Sequence, residues 1–355
     1  HGKVLQKFEG GFMKLAKFVS TLAALMINTA LASELPNSLP NGFDSLGPTV
    51  KQLTTETGRQ IHYVDDGVTK AHPVVFTGGL GTSVRAIRLL DFLRTMRQDL
   101  NIRMITVERN GFGQTQFNPD LDMADYAKDV EYVLDHLDID HFSLFGISGG
   151  GPYTAKIASR LHKRVLSIHM AATSPLIGQA DWCSPDRGTS GYSDLLAYPM
   201  QFFGFPKSSS MHQVEGFQDT AFEEAARAHN LRGQSADPAP LEHEMALYCS
   251  EGAIDTSHVK TKLFVYRGQA DELLTNEPND AWQKHYPKAT IFLRNYPGEG
   301  HDVQYRHLDQ ILLDLSGQNS QILICKDGDQ KMISPLAQQK LSPREYKLGL
   351  CQWDS

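Results

Sequence analysis

One serine in this chain sits where its hydroxyl is able to do chemistry. Gly146-Ile147-Ser148-Gly149-Gly150, within FGISGGGPY, follows the apolar run HFSLF and precedes the helical stretch PYTAKIASRLHK. A strand-to-helix turn too tight for a Cβ at its flanks explains the glycines and lifts the Ser148 hydroxyl clear of the strand. The same turn aims the first amides of the next helix at whatever binds there, a setting suited to developing negative charge. A serine hydroxyl is a weak nucleophile unless a base takes its proton. Among the 14 histidines, His301 in NYPGEGHDV is placed for that role, on a glycine-bracketed loop between the run TIFLRNYPG and the helical stretch LDQILLDL. An imidazole base needs a carboxylate to fix its tautomer and stabilise its charged form. Asp271 in LFVYRGQADELL is so placed, just past the preceding strand, with Glu272 beside it and Asp302 beside the histidine as competitors.

The elements that must position these residues are legible as alternation. HPVVFTGG, NIRMITVER, HFSLFGIS, RVLSIHMAAT, KTKLFVYRG and TIFLRNYPG are short apolar runs ending in glycine or polar residues, the mark of buried strands in a mainly parallel sheet. VKQLTTETGRQIHYVDDG predicts a hairpin turning at Thr57-Gly58. Between the strands, SVRAIRLLDFLRTMRQD predicts a helix with Ile87, Leu90, Phe92 and Leu93 on one face. MADYAKDVEYVLDHLDI predicts another with Tyr126, Val130, Val133 and Leu134 inward. Pro152 suits a first helical turn. Strands alternating with helices predict an α/β fold with helices on both faces of the sheet.

The order Ser148, Asp271, His301 along the chain is the one that α/β-hydrolases use, and from about residue 50 to 316 the chain resembles that superfamily. TGGLGTS, ERNGFGQT, GISGGG, GQADE and GEGHD appear in the order of its motifs. The resemblance implies a Ser148–His301–Asp271 triad. It also implies an oxyanion hole formed by the backbone amide of Gly79 or Leu80 together with that of Gly149. Thr77 departs from the histidine that many relatives carry before the glycine, and Glu108 and Asn110 depart from the commoner Asp-x-Pro/Arg form. ERNGFGQT reads equally as a pocket wall or as a structural turn. The resemblance implies acyl transfer through a covalent serine intermediate, with no metal or organic cofactor required.

The alternation lapses between Leu176 and Val259, a stretch rich in Trp182, Tyr192, Tyr198, Phe202, Phe203, Phe205, Met211, Phe217 and Phe222. It reads as an inserted helical lid, so the expected partner is a small-molecule substrate with an apolar part. The predicted organisation is an upstream extension and leader over 1–32 and core over 33–175. A lid over 176–259, core again over 260–316 and a small disulfide-closed appendage over 317–355 complete it. MKLAKFVSTLAALMINTALAS, from Met13, has the charged start, short apolar middle and small-residue close of a secretory leader, predicting cleavage after Ala32 and a periplasmic or secreted protein without a stable membrane anchor. In an oxidising compartment the four cysteines can pair. Chain order favours Cys183–Cys249 and Cys325–Cys351, one of three possible pairings. With 41% hydrophobic and 21% charged residues, a net charge of −7 and no basic stripe, a nucleic-acid partner is not expected.

Three readings follow. The first is a serine hydrolase of small or medium acyl esters. The second is an aminopeptidase resembling proline iminopeptidases, which needs lid carboxylates such as Glu223, Glu224, Glu242 or Glu244 to hold a substrate amine. The third is a binding protein that kept the fold without catalysis.

Overall fold

The computed structural model describes residues 49–176, 183, 239–274, 277, 278 and 280–351. The leader expected from Met13 and most of the expected lid lie outside them. Eight strands form one sheet: β1 Lys51–Thr54, β2 Gln60–Asp66, β3 His72–Thr77, β4 Ile102–Val107, β5 Phe142–Ile147, β6 Val165–Ala171, β7 Lys262–Gly268 and β8 Thr290–Tyr296. Their order is β1-β2-β4-β3-β5-β6-β7-β8. The β1–β2 and β2–β4 pairs are antiparallel and the other five are parallel. Gly58, at φ +82°, turns the β1–β2 hairpin at the expected place.

Successive side chains of a strand point to opposite faces, and here both faces are covered. Val75, Ile105, Leu144, Leu263 and Val265 pack on one side against helices α2 (Met123–His136) and α3 (Gly150–Arg160). Val74, Phe76, Met104, Phe145, Phe264 and Tyr266 pack on the other, against the segment Val84–Leu93 and a later helix, Leu308–Leu315. This two-sided burial makes the strands read as continuous apolar runs.

The stretch predicted as one helix over 83–99 is instead a 3-10 helix, Val84–Leu93, leading into α1, Arg94–Asp99. The reason lies in the spacing. Val84, Ile87, Leu90 and Leu93 recur every three residues, which is the 3-10 period and stacks them on one edge. Val84, Ile87 and Leu90 are buried there.

Helix α4, Ala239–Glu251, buries Met245 and Tyr248 in the same cluster as α2 and α3. Beyond it come α5 (Ala281–His285), α6 (Val303–Arg306) and α7 (Leu308–Leu315). The C-terminal appendage is a three-stranded sheet: β9 Ile322–Lys326, flanked by β10 Asp329–Ile333 and β11 Lys347–Leu348, with the short helix α8, Pro335–Gln338, between the flanking strands. The two residues of β11 are too few to carry a periodic signal. The appendage is fixed to α7 by side chains, since Gln310 Oε1 accepts the Leu323 N–H at 2.8 Å and Asp309 Oδ2 accepts the Leu350 N–H at 2.7 Å. Cys325 is paired with Cys351, and Cys183 with Cys249.

A polar chain crosses the sheet through five strands. His72 Nε2 lies 2.9 Å from Ser143 Oγ, Ser143 Oγ lies 2.7 Å from Ser167 Oγ, and Ser167 Oγ lies 2.9 Å from His169 Nε2. His169 Nδ1 lies 2.9 Å from the Tyr266 hydroxyl, which donates to Asp314 Oδ2 at 2.8 Å, and Arg294 closes the chain on the same carboxylate. Because the tyrosine proton goes to Asp314, the tyrosine oxygen accepts from His169 Nδ1–H, and His169 Nε2 is the bare nitrogen. The ring is therefore held neutral, and burial pushes its pKa down from 6.5 to about 3. The unfolded chain then binds a proton that the folded chain refuses throughout that window. Stability through this group is complete above pH 6.5 and declines as pH falls, by up to about 1.4 kcal/mol per pH unit. Other buried groups titrate too, so the difference between wild type and His169→Gln isolates it. Urea unfolding between pH 6 and 4 is expected to show a wild-type slope steeper by about one proton; identical slopes would contradict the assignment.

Candidate active site

The three residues singled out from the sequence come from three different strand ends at the carboxyl edge of the sheet, and the structure brings them together. Ser148 follows β5 directly and stands at φ +50°, in the left-handed region that a side chain rarely occupies. Its backbone is held on both sides, with its N–H donating to Ala171 O at 3.0 Å and its carbonyl accepting Gly151 N–H at 2.9 Å. Ser148 Oγ lies 2.8 Å from His301 Nε2, and His301 Nδ1 lies 2.8 Å from Asp271 Oδ2. A carboxylate only accepts, so the imidazole proton sits on Nδ1 and the bare Nε2 faces the hydroxyl. The Asp271 side chain is 2% exposed, and its other oxygen accepts the Leu273 N–H at 2.9 Å. Of the competitors, Glu272 is exposed and Asp302 is engaged by Arg306 Nε at 2.8 Å.

The loops carrying acid and base are stitched to each other. Gln269 N–H donates to Tyr296 O at 3.0 Å and Ala270 N–H donates to Glu299 O at 2.8 Å. A Cβ on Gly268 would lie 2.3 Å from Gly300 O, so the end of β7 runs directly against the histidine loop. The His307 ring, 3.7 Å from the Tyr296 ring centroid, holds the Glu299 carboxylate at 2.8 Å from below.

The candidate oxyanion loop, Gly78-Gly79-Leu80-Gly81, packs on the turn at Ser148. A Cβ on Gly149 would lie 2.8 Å from Leu80 N, and one on Gly150 would lie 2.3 Å from Thr77 O and 2.5 Å from Gly78 O. Thr77, the residue that departs from the family histidine, is buried beneath the turn, with its hydroxyl donating to Gly150 O at 3.1 Å and meeting the Thr154 hydroxyl.

Two residues of ERNGFGQT, Glu108 and Arg109, brace the candidate oxyanion loop and its continuation. Glu108 Oε1 accepts the Val84 N–H at 2.9 Å, and full burial pushes its carboxyl up to about 8. Arg109 donates to Gly78 O at 2.9 Å and to Gly79 O at 2.5 Å, and its Nε lies 2.9 Å from Glu244 Oε1 on α4. Glu244 Oε2 accepts the Gly81 N–H at 2.6 Å. Burial raises the Glu244 pKa, and Arg109 and the Gly81 amide oppose that shift. Asn110 closes its own turn onto Asn118.

Arg109 was not a candidate from the sequence, and Glu244 was one for a different role. The two stand far apart in the chain, and nothing local marks either as a partner of the glycine loop. The lid aromatics Trp182, Tyr192, Tyr198, Phe202, Phe203, Phe205, Phe217 and Phe222, with Met211, Glu223 and Glu224, lie outside the described residues.

Neighbouring glycines here differ sharply in tolerance. Gly150→Ala drives a methyl into two backbone carbonyls of the oxyanion loop. Gly79→Ala meets nothing closer than Ser148 Cβ at 3.7 Å. Thermal unfolding is expected to show a loss of about 1–3 kcal/mol for Gly150→Ala and a change within about 1 kcal/mol for Gly79→Ala. Equal effects would contradict the packing described.

Among curated proteins, none matches this chain. Solved structures that it resembles include a carboxylesterase from the thaumarchaeon Nitrososphaera gargenis (16% identity, 76% of this chain and 100% of that chain covered, TM-score 0.57). Others are a bromoperoxidase from Bacillus anthracis (18%, 76% and 100%, 0.56) and a thermophilic esterase from Thermogutta terrifontis (19%, 76% and 97%, 0.54). At such identities the likeness is one of fold. The family model for the alpha/beta hydrolase fold matches residues 73–308, more than half of the sequence. The chain belongs to the alpha/beta hydrolase fold family.

Proposed function

We propose that this hydrolase cleaves small or medium acyl esters through a covalent acyl intermediate on Ser148. The observation that carries the reading is the unbroken line from Ser148 Oγ through the His301 ring to Asp271, with both links at 2.8 Å. His301 Nε2 takes the serine proton as Oγ bonds to the ester carbonyl carbon. The carbonyl oxygen becomes an oxyanion beside the amides of Gly149 and of Gly79 or Leu80. The tetrahedral centre then collapses. The ester C–O bond breaks, and the alkoxide leaves with the proton from His301. Water, deprotonated by the same nitrogen, attacks the acyl carbon; the acyl–Oγ bond then breaks, Ser148 Oγ takes the proton back from His301, and the acid is released. Asp271 stays ionised and holds the imidazolium that forms twice per cycle.

The aminopeptidase reading lacks support at the two described carboxylates it named, Glu242 and Glu244. Glu244 is committed to Arg109 and Gly81, and Glu242 is exposed. The hydrogen-bonded triad likewise speaks against a binding protein that has lost catalysis. The protein is further proposed to act outside the reducing cytoplasm. The leader-like stretch from Met13 and the pairing of all four cysteines support this.

A fluorophosphonate probe is expected to label the wild type and not Ser148→Ala, and the variant is expected to lose ester turnover by about 10⁴-fold or more. Across p-nitrophenyl esters of graded acyl length and proline arylamides, the esters are expected to turn over. Retained turnover in Ser148→Ala, or arylamide hydrolysis exceeding that of every ester, would overturn the proposal.

A further inference from the structure

We infer that Arg109, locked in place by Glu244, is a positioning residue that aims and polarises the oxyanion-hole amides. The inference rests on the serine-hydrolase reading above and adds two residues to its machinery that do not touch substrate.

The direction of the amides follows from the geometry of the peptide unit. In a trans peptide the C=O and the following N–H lie in one plane and point opposite ways. The described peptides hold no cis bond. Arg109 captures the carbonyls of Gly78 and Gly79 with its two terminal nitrogens, at 2.9 Å and 2.5 Å, and its second terminal nitrogen also reaches Thr82 O at 3.1 Å. The N–H groups of Gly79 and Leu80, which belong to those same two peptides, are therefore turned away from the guanidinium. Gly149 lies beside them, since a Cβ on it would come within 2.8 Å of Leu80 N. Arg109 is thus the side chain that reaches both peptides, and at Gly79 O it is joined by the Thr82 hydroxyl at 2.6 Å and the Thr82 N–H at 3.3 Å.

Charge acts in the same direction. A cation on the carbonyl end of a peptide draws electron density toward itself and leaves the N–H end a stronger donor. Arg109 is 4% exposed, so water screens little of this. Its planar fork matches two carbonyls at fixed separation, and a lysine ammonium offers no such fork.

Glu244 completes the device. A guanidinium buried alone is costly. Glu244, 1% exposed, neutralises it through Oε1 and accepts the Gly81 N–H through Oε2. The three successive amides of the loop are thereby divided, with Gly79 and Leu80 left for the reaction and Gly81 taken out of it. One turn further along α4, the Tyr248 hydroxyl donates to Gly149 O at 2.6 Å, so a single helix grips both backbone segments that border the hole.

The test compares the full-length wild type with Arg109→Lys and Glu244→Gln. Readouts are kcat and KM on a p-nitrophenyl ester and Ki for an aryl trifluoromethyl ketone, whose serine adduct places an oxyanion in the hole. Arg109→Lys is expected to lower kcat by about 10- to 100-fold with KM within about threefold. The ketone Ki is expected to rise by the same factor as kcat falls. Glu244→Gln keeps an acceptor for Gly81 and removes the charge, and is expected to lower kcat by about tenfold with a matching change in Ki. A purely structural role lowers the unfolding temperature and leaves kcat per folded, probe-labelled site and Ki unchanged. That pattern in either variant overturns the inference. Should Arg109→Lys not fold, Glu244→Gln decides alone. A wild type that neither labels with fluorophosphonate nor turns over esters refutes the hydrolase mechanism itself, a different result from unaltered variants of an active enzyme.

Discussion

Everything at the site depends on how little room surrounds the turn at Ser148. The serine backbone at φ +50° costs on the order of 1–3 kcal/mol and persists only where its surroundings over-determine it. Here they do. A Cβ at Gly146 would lie 2.2 Å from Thr154 Oγ1, one at Gly150 would lie 2.3 Å from Thr77 O, and one at Gly151 would lie 2.0 Å from Thr173 Oγ1. Four glycines let α3, β3 and the loop after β6 close on the turn from three sides. The resulting contact between Gly149 and Leu80 brings two separate backbone segments together as one candidate donor site.

The charged and polar groups divide by their end of the sheet. At the carboxyl edge, buried Arg109, Glu108 and Glu244 hold loop backbone by side-chain hydrogen bonds, and those of the Arg109–Glu244 pair are charge-assisted and stronger than neutral ones. Buried ion pairs are weak evidence for net stability. Their worth here is geometric, because Arg109 and Glu244 bond peptides of the candidate oxyanion loop and Glu108 bonds its continuation at Val84. Away from that edge, the chain from His72 through His169 and Tyr266 to Asp314 satisfies polar side chains that the parallel strands would otherwise bury unpaired. The two networks share no residue.

Much of this was legible in the sequence because the signals were local. Apolar runs ending in glycine or polar residues marked strands β3 to β8, and glycines flanking one serine marked the turn. The chain order of Ser148, Asp271 and His301 named the residues that the structure places within hydrogen-bond reach. What escaped had no local signature. Arg109 lay in a motif read as a wall or a turn and Glu244 was read as a lid carboxylate available to a substrate amine, and only the approach of α4 to the glycine loop makes them partners. His169 read as one more strand position, since alternation says which face a side chain takes and not whether a serine or tyrosine waits there. The Val84–Leu93 segment was read with a helical period when its apolar residues recur every three.

The central claim is that Ser148 carries the acyl group during turnover. Acid-quenching the wild-type enzyme during steady-state hydrolysis of an activated ester, followed by intact and peptide mass measurement, tests it most directly. The account predicts a mass increase equal to the acyl group, confined to the peptide containing Ser148. Steady turnover with no adduct under conditions where deacylation is slow, or an adduct on another residue, would contradict it.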